Sequence, residues 1–362
     1  MIPLRVLQIA AGPMGPDVLA AQSTAAALRS AGHASSLAGP GLDVPGALTY
    51  RTGWWPWITG ERRRTVRLIA RWMPDVLHLH GVNGLSAVLE IARQLGLGVV
   101  TSLTSTEDPH AARRLRDPRI GWTLVATEHL RAHALGRIGI QRDRLALIPP
   151  IPPLPVARAD RTPGWRLGII ATADPQTGHD LHEVLDAVQE VQSSGLAVSA
   201  LAHVAWLQGR RRTALADQLE AAGAPIGPDD LAAFLAQVDA IALVGRREPP
   251  AVVVLAALAA GVPVLAPPIG GLPELIADGS QGLLVAQPTQ ASWASAIRQL
   301  HDHRRRQDMA DAALQESTER FAAADATDAL VALYRSSLGP DSGAAKAEVS
   351  QTWRRLSDAR AR

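Results

Sequence analysis

The chain has 362 residues, of which 47% are hydrophobic, enough for two globular domains around separate cores. Its 36 basic and 34 acidic residues nearly cancel, which argues against a nucleic-acid binder, and the absence of cysteine excludes disulfides and thiolate metal sites while saying nothing about compartment. The isoelectric point of 9.6 has a compositional cause: only Lys346, Tyr50 and Tyr334 titrate between the imidazole and guanidinium ranges. No apolar run reaches the ~18 residues of a membrane span, and the opening MIPLRVLQIAAG reads as a buried strand rather than a signal peptide. A cytoplasmic location is the expectation.

Short apolar runs alternate with amphipathic segments, the pattern of a doubly wound parallel sheet. Strands are predicted at Leu4 to Ala10, Val76 to Leu79, Val99 to Leu103, Trp122 to Ala126 and Leu145 to Ile148, with helices at Asp17 to Ser30 and Ser86 to Leu95. The proline-dense segment Pro149 to Pro155 reads as a stiff linker. The rhythm restarts with strands at Leu167 to Ala171, Val198 to Val204, Ala240 to Val244 and Val262 to Ala266, then GLLVA around Leu284 and helices at Trp293 to Leu300 and Ala322 to Leu338. The expected division is therefore residues 1–150, a linker at 151–164, a second domain at 165–320, a helix at 321–338 returning to the first domain, and a polar tail at 339–362. Two such domains in tandem place ligands at the carboxyl ends of their strands.

A set of ordered motifs lies between Arg247 and Val285, in REPPAVVVLAALAAGVPVLAPPIGGLPELIADGSQGLLV. Gly261 and Pro263, the pair Gly270 and Gly271, Glu274, and the run Asp278, Gly279 and Gly282 stand in register with the signature of the retaining glycosyltransferases of family 4. Fainter echoes are LHLHG at Leu77 to Gly81, the Thr-Ser-Thr after the following strand, and Gly178 with Asp180 and Leu181. The chain resembles that family over roughly residues 3 to 338. The resemblance implies the GT-B fold, an α/β architecture of two Rossmann-like domains facing a cleft, with an acceptor-side domain, a donor-side domain and a nucleotide-diphosphate sugar as donor substrate, without a further cofactor.

Carried over position by position, the first glutamate of the family's Glu-x7-Glu motif falls on Glu248 and the second, which binds ribose, falls on Ala256. The two cations that neutralise the leaving diphosphate fall on Thr172 and Thr177, and the histidine near the reacting sugar falls on Leu103. Pro249 and Pro250 replace residues whose backbone N–H groups face the donor, and proline has none to offer. Because fixed cations and amides aimed at the departing charge are usually the largest catalytic term, family descent implies sugar transfer while the residue complement implies a degenerate donor site.

Other residues compete for roles. Arg246 and Arg247 beside Glu248, and Arg211 within the run Arg210 to Arg212, follow predicted strands and are candidate replacement cations, though charge runs are usually solvated. Glu248 is read either as a ligand of a sugar hydroxyl or as a helix-start carboxylate favoured by the dipole. Gly270 and Gly271 are read as a close-approach loop at the donor or as a plain tight turn. On the acceptor side stand the loop with Gly12 and Gly15, and His80, which shares one strand face with His78. Satisfied strand-end histidines are favoured there over a metal site, for which no third ligand is evident. Trp54, Trp55 and Trp57 lead into a helix whose stripe of Val66, Ile69, Ala70 and Met73 opposes Arg64, Arg67 and Arg71. Packing of that stripe on the sheet is expected, with peripheral membrane contact through Trp54 to Met73 as the alternative.

Two function classes stay open. One is sugar transfer from a nucleotide sugar to an acceptor of unknown identity, a glycan or a lipid-linked one. The other is a catalytically inactive relative, a pseudoenzyme binding a glycan or a protein. A nucleotide-sugar epimerase explains the architecture but not the ordered glycine signature.

Overall fold

The computed structural model describes residues 2–12, 15–50, 61–106, 113–157, 165–171, 177–204 and 209–338. The chain divides into two compact units, one running to Ile151 and resuming at Phe321, the other spanning Pro152–Arg320.

Unit 1 holds a seven-stranded, all-parallel sheet. Its strands are β1 (Arg5–Ala10), β2 (Ala34–Pro40), β3 (Leu48–Tyr50), β4 (Val76–His80), β5 (Gly98–Leu103), β6 (Ile120–Val125) and β7 (Leu145–Leu147), in the order β3-β2-β1-β4-β5-β6-β7. The helices described here are α1 (Pro16–Ser30), α2 (Glu61–Trp72), α3 (Leu85–Leu95) and α4 (Glu128–His133). A parallel sheet is covered on both faces, so its strands read as near-continuous apolar runs; β1 buries Val6, Leu7, Ile9 and Ala10 alike. The strands β2 and β3 escape the sequence pattern, since ASSLAGP carries few branched residues and β3 is a three-residue edge strand.

In α2 the expected apolar stripe turns inward only in part. Ile69 is buried and Val66 packs on the same core, while Arg64, Arg67 and Arg71 are exposed. Met73, expected to extend the stripe, is 66% exposed. The helix stops at Trp72, and Met73 turns away with φ at 51°. Arg5 stacks its guanidinium 4.8 Å from the Trp72 ring and donates to the Met73 carbonyl at 2.9 Å, which ties this helix end to β1. Trp54, Trp55 and Trp57 lie outside the described residues. Among the described residues no helix is long and apolar enough to cross a membrane.

Unit 2 repeats the design with five parallel strands, β8 (Trp165–Ala171), β9 (Val198–His203), β10 (Ala240–Val244), β11 (Val264–Ala266) and β12 (Gly282–Leu284), ordered β12-β11-β10-β8-β9. Its helices are α5 (Thr177–Ser193), α6 (Gly209–Ala221), α7 (Leu231–Leu235), α8 (Ala251–Ala259), α9 (Leu272–Leu275), α10 (Gln290–His301) and α11 (His303–Glu319). The buried length of α8 is apolar all round, from Ala251 to Leu258, as a helix enclosed on every side must be.

The last helix, α12 (Ala323–Ser336), packs in unit 1. Its Leu330, Leu333 and Tyr334 bury against Leu4, Val6, Val76, Val100 and Trp122, and the Trp122 indole N–H donates to the Ser336 hydroxyl at 2.8 Å. Polar groups also meet under this helix. His78 uses one ring nitrogen on the Tyr334 hydroxyl at 2.7 Å and the other on the Ser102 hydroxyl at 2.9 Å, as a neutral imidazole allows. His80 Nε2 donates to Gln8 Oε1 at 2.8 Å, and the two imidazoles lie 4.1 Å apart. Among the described residues no group of three His, Cys, Asp or Glu is placed to hold a metal.

Burial drives the His80 pKa down to about 3 and, with the neighbouring His80, lowers that of His78. Unfolding returns both imidazoles to water and to the usual value near 6.5, so between these limits the unfolded chain binds more protons. The stability these neutral rings confer is therefore complete above about pH 6.5 and lost as pH falls below it. At pH 5 His80 alone should cost about 2 kcal/mol relative to pH 8. Urea unfolding across that range should show this slope, and His80→Gln should flatten it.

Candidate functional site

The strand-following loops of unit 2 bring together two features that sit apart in sequence. The loop after β10 carries Arg246, Arg247 and Glu248, and α8 begins only at Ala251, with Pro250 at its N-cap. Glu248 is thus not a helix-start carboxylate. It reaches across to the loop after β11, where the Gly271 N–H donates to its Oε1 at 2.8 Å. Gly270 adopts φ of +56°, and a Cβ there would stand 2.2 Å from Glu248 Oε2. Two constraints therefore fix glycine at position 270: a left-handed backbone and a carboxylate in the space a side chain needs. The plain-turn reading of Gly270 and Gly271 accounts for the backbone but not for the carboxylate seated on it.

Arg246 is exposed, and its Nε lies 3.3 Å from Oδ1 of Asp180, in the first turn of α5. Asp180 is only 4% exposed, and its Oδ2 is buried without a hydrogen-bond partner. Desolvating a carboxylate is costly unless a cation compensates, so Arg246 is held at this spot by charge. The sequence marked Asp180 only as a motif echo; nothing in the spacing of 66 residues announces this pairing. Arg247 is exposed. Arg212 pairs instead with Asp229 at 3.0 Å in an exposed contact. The Arg211 side chain lies outside the described residues, as do Thr172 and the side chain of Thr177, the first residue of α5. Ala256 is buried within α8 at 2% exposure.

In unit 1 the acceptor-side candidates separate. Gly12 is half-buried after β1, and Gly15, with φ of 122°, forms the N-cap of α1. His80 is 2% exposed and engaged with Gln8, so its ring belongs to the core rather than to a ligand-facing surface. Leu103 ends β5 and is buried in the core. The group that does stand at the carboxyl ends of β1, β4 and β5 is one the sequence reading passed over, Asp17. Its Oδ1 accepts from the Thr104 hydroxyl at 3.5 Å, and its Oδ2 occupies the place where a Cβ on Gly81 would lie, 2.3 Å away. Burial pushes the Asp17 carboxyl up to about 6, opposed only by the Thr104 hydrogen bond. An acidic residue in the first turn of a helix behind a glycine-rich loop is the signal that could have found it.

Two outcomes follow. Gly270→Ala should displace Glu248 and cost about 2 kcal/mol or more in chemical denaturation, whereas Glu248→Gln, which keeps an acceptor for Gly271, should cost less than half of that. Asp17 carries the opposite sign from a salt-bridged carboxylate. Its raised folded pKa means that stability is lost as pH rises from about 4 through 6. Asp17→Asn should therefore be more stable than the parent at pH 7.5, by about 1–2 kcal/mol after allowance for its partial exposure, and nearly equal to it at pH 4. Denaturation midpoints at the two pH values check this.

Comparison with known proteins adds a family match over part of the chain. Residues 167–303 match the family model described as Glycosyl transferases group 1. The D-inositol 3-phosphate glycosyltransferase of Corynebacterium aurimucosum is 35% identical over 127 residues, which is 34% of this chain and 30% of that protein. The protein of the same name from Saccharomonospora viridis is 31% identical over 121 residues, 33% of this chain and 28% of that one. The matched segments thus span less than a third of these relatives' length. Among solved structures, Anabaena HepE in complex with UDP and glucose is similar at a TM-score of 0.70 and 15% identity, over 91% of this chain and 98% of that one. A glycosyltransferase from Rickettsia africae is similar at a TM-score of 0.71 and 14% identity, over 94% and 100%. The fold is shared further, with a putative UDP-N-acetylglucosamine 2-epimerase from Listeria monocytogenes at a TM-score of 0.63 and 15% identity, over 92% and 96%. The chain has the GT-B fold, and its residues 167–303 are similar to the glycosyl transferases group 1 family.

Proposed function

We propose that the chain is a sugar-transfer protein with a reduced donor site, moving a sugar from a nucleotide-diphosphate donor, with retention of configuration, onto a polyhydroxylated acceptor. The observation that carries this reading is the Glu248 carboxylate seated on Gly270 and Gly271, inside the family-matched segment and at the carboxyl ends of β10 and β11. In that reading the glycine loop receives the donor and Glu248 sets its shape. The acceptor falls to unit 1, and the names of the curated relatives, which act on D-inositol 3-phosphate, suggest a cyclitol or sugar. HepE, with UDP and glucose bound, suggests a uridine nucleotide. We assign the protein to the cytoplasm, where nucleotide sugars are made.

Transfer breaks the bond between the sugar C1 and the diphosphate oxygen, which leaves with the electron pair, while the acceptor oxygen bonds to C1 and gives up its proton to the departing diphosphate. The departing charge needs cations. Thr172 and Thr177 bring none, and Pro249 and Pro250 withhold amides; Arg246, tethered to Asp180, is the cation we assign to the diphosphate. Each missing donor typically costs about 3 kcal/mol, so turnover should be slow. The second reading, a non-catalytic module binding a glycan or a protein, is favoured by Ala256, a buried methyl where the resemblance implies a ribose-binding carboxylate.

Titration calorimetry with UDP, GDP and ADP separates the two. Nucleotide binding weaker than about 10 μM is expected, roughly −7 kcal/mol or less in magnitude. Arg246→Ala should weaken it about tenfold further, and Thr172→Arg with Thr177→Lys should tighten it. Ala256→Glu alone should leave donor-sugar hydrolysis unrestored. If no nucleotide binds at millimolar concentration, the transfer reading fails and the binding module stands.

A further inference from the structure

Asp17 is a half-buried carboxylate with no structural debt to discharge. Among the described residues it pairs with no cation, and its hydrogen bond there, from Thr104, is long at 3.5 Å. The loops that end β1, β4 and β5 converge on it, and Gly81, at φ of +80°, leaves out the side chain that would otherwise fill its place. A carboxylate used only to favour the start of α1 would gain more in open solvent. Here the chain keeps it where desolvation raises its energy, which is the mark of a group held for a ligand. Its chemistry also selects. A carboxylate accepts from hydroxyls and repels a second anion, the more strongly the less water intervenes.

We propose that the Asp17 carboxylate, seated against Gly81 and Thr104, is a ligand-binding and specificity-determining group of unit 1 that accepts a hydroxyl of an uncharged polyol or sugar and rejects a phosphorylated one. This rests on the reading of unit 1 as the acceptor side. It sets this chain apart from relatives named for inositol 3-phosphate, because in those an anionic group has to be accommodated. Ligand affinity follows the ionised form of Asp17 and so rises with pH through about 6. Among the described residues packed at this place, Thr104 carries a hydroxyl, and His80, next to Gly81 on β4, stays neutral because burial lowers it to about 3.

The test is binding of inositol and of inositol 3-phosphate to the full chain, followed by saturation-transfer NMR and titration. At pH 7.5 the parent should bind inositol at least tenfold more tightly than its phosphate, and that ratio should shrink toward pH 5. Asp17→Asn should lose both the ratio and its pH dependence. Asp17→Lys should reverse the preference, which a merely structural role would not do. Equal or tighter binding of the phosphate by the parent overturns the proposal, as does a preference unchanged in Asp17→Lys or failure of inositol to bind. The nucleotide titration is independent: inositol binding without nucleotide binding would sink the transfer reading and leave this one intact.

Discussion

An all-parallel sheet can only be traversed in one direction, and each strand must be followed by a crossover before the next begins. Every loop that leaves a strand at its carboxyl end is thereby gathered along one edge, whatever the sequence distance between strands. Both units of this chain obey that constraint, and their functional chemistry follows from it. Glu248 meets Gly271 because β10 and β11 are neighbours, and Asp17 meets Gly81 and Thr104 because β1, β4 and β5 are. The sheet order brings these loops together, and glycine at positions 81 and 270 leaves the room that the two carboxylates occupy.

The two edges handle charge differently. In unit 2, Asp180 is deeply buried and its Oδ1 meets the Arg246 guanidinium, which fixes Arg246 in direction. In unit 1, Asp17 is less buried and meets, among the described residues, the Thr104 hydroxyl, and burial raises its carboxyl pKa to about 6. Desolvation is a cost at both places, and the Asp180 carboxylate meets it with an ordered contact to a guanidinium.

Much of the architecture was legible because buried parallel strands are apolar throughout, as in Arg5–Ala10 and Ala240–Val244. What escaped was what lacks that signature. Ala34–Pro40 is a strand because of its neighbours, not its composition, and His303–Glu319 is a helix that buries little beyond Met309, Ala310 and Ala313. The same division holds for the site. Glycines and Glu248 were visible as motif positions, but the sequence could not show that the carboxylate would settle on the glycines. Asp17 was invisible as a site residue because its character comes from burial and from Gly81 and Thr104, both far along the chain.

Unit 1 is not a continuous stretch of chain, since α12 completes it after the whole of unit 2 has intervened. On the ribosome, unit 2 can close around its own core as soon as Arg320 has emerged, whereas Leu4, Val6, Val100 and Trp122 wait for a helix more than 150 residues downstream of the Pro149 to Pro155 segment. His78 waits for Tyr334 with them. The unit made first is thus the unit finished last, and during that interval its apolar face is the natural client surface for a chaperone.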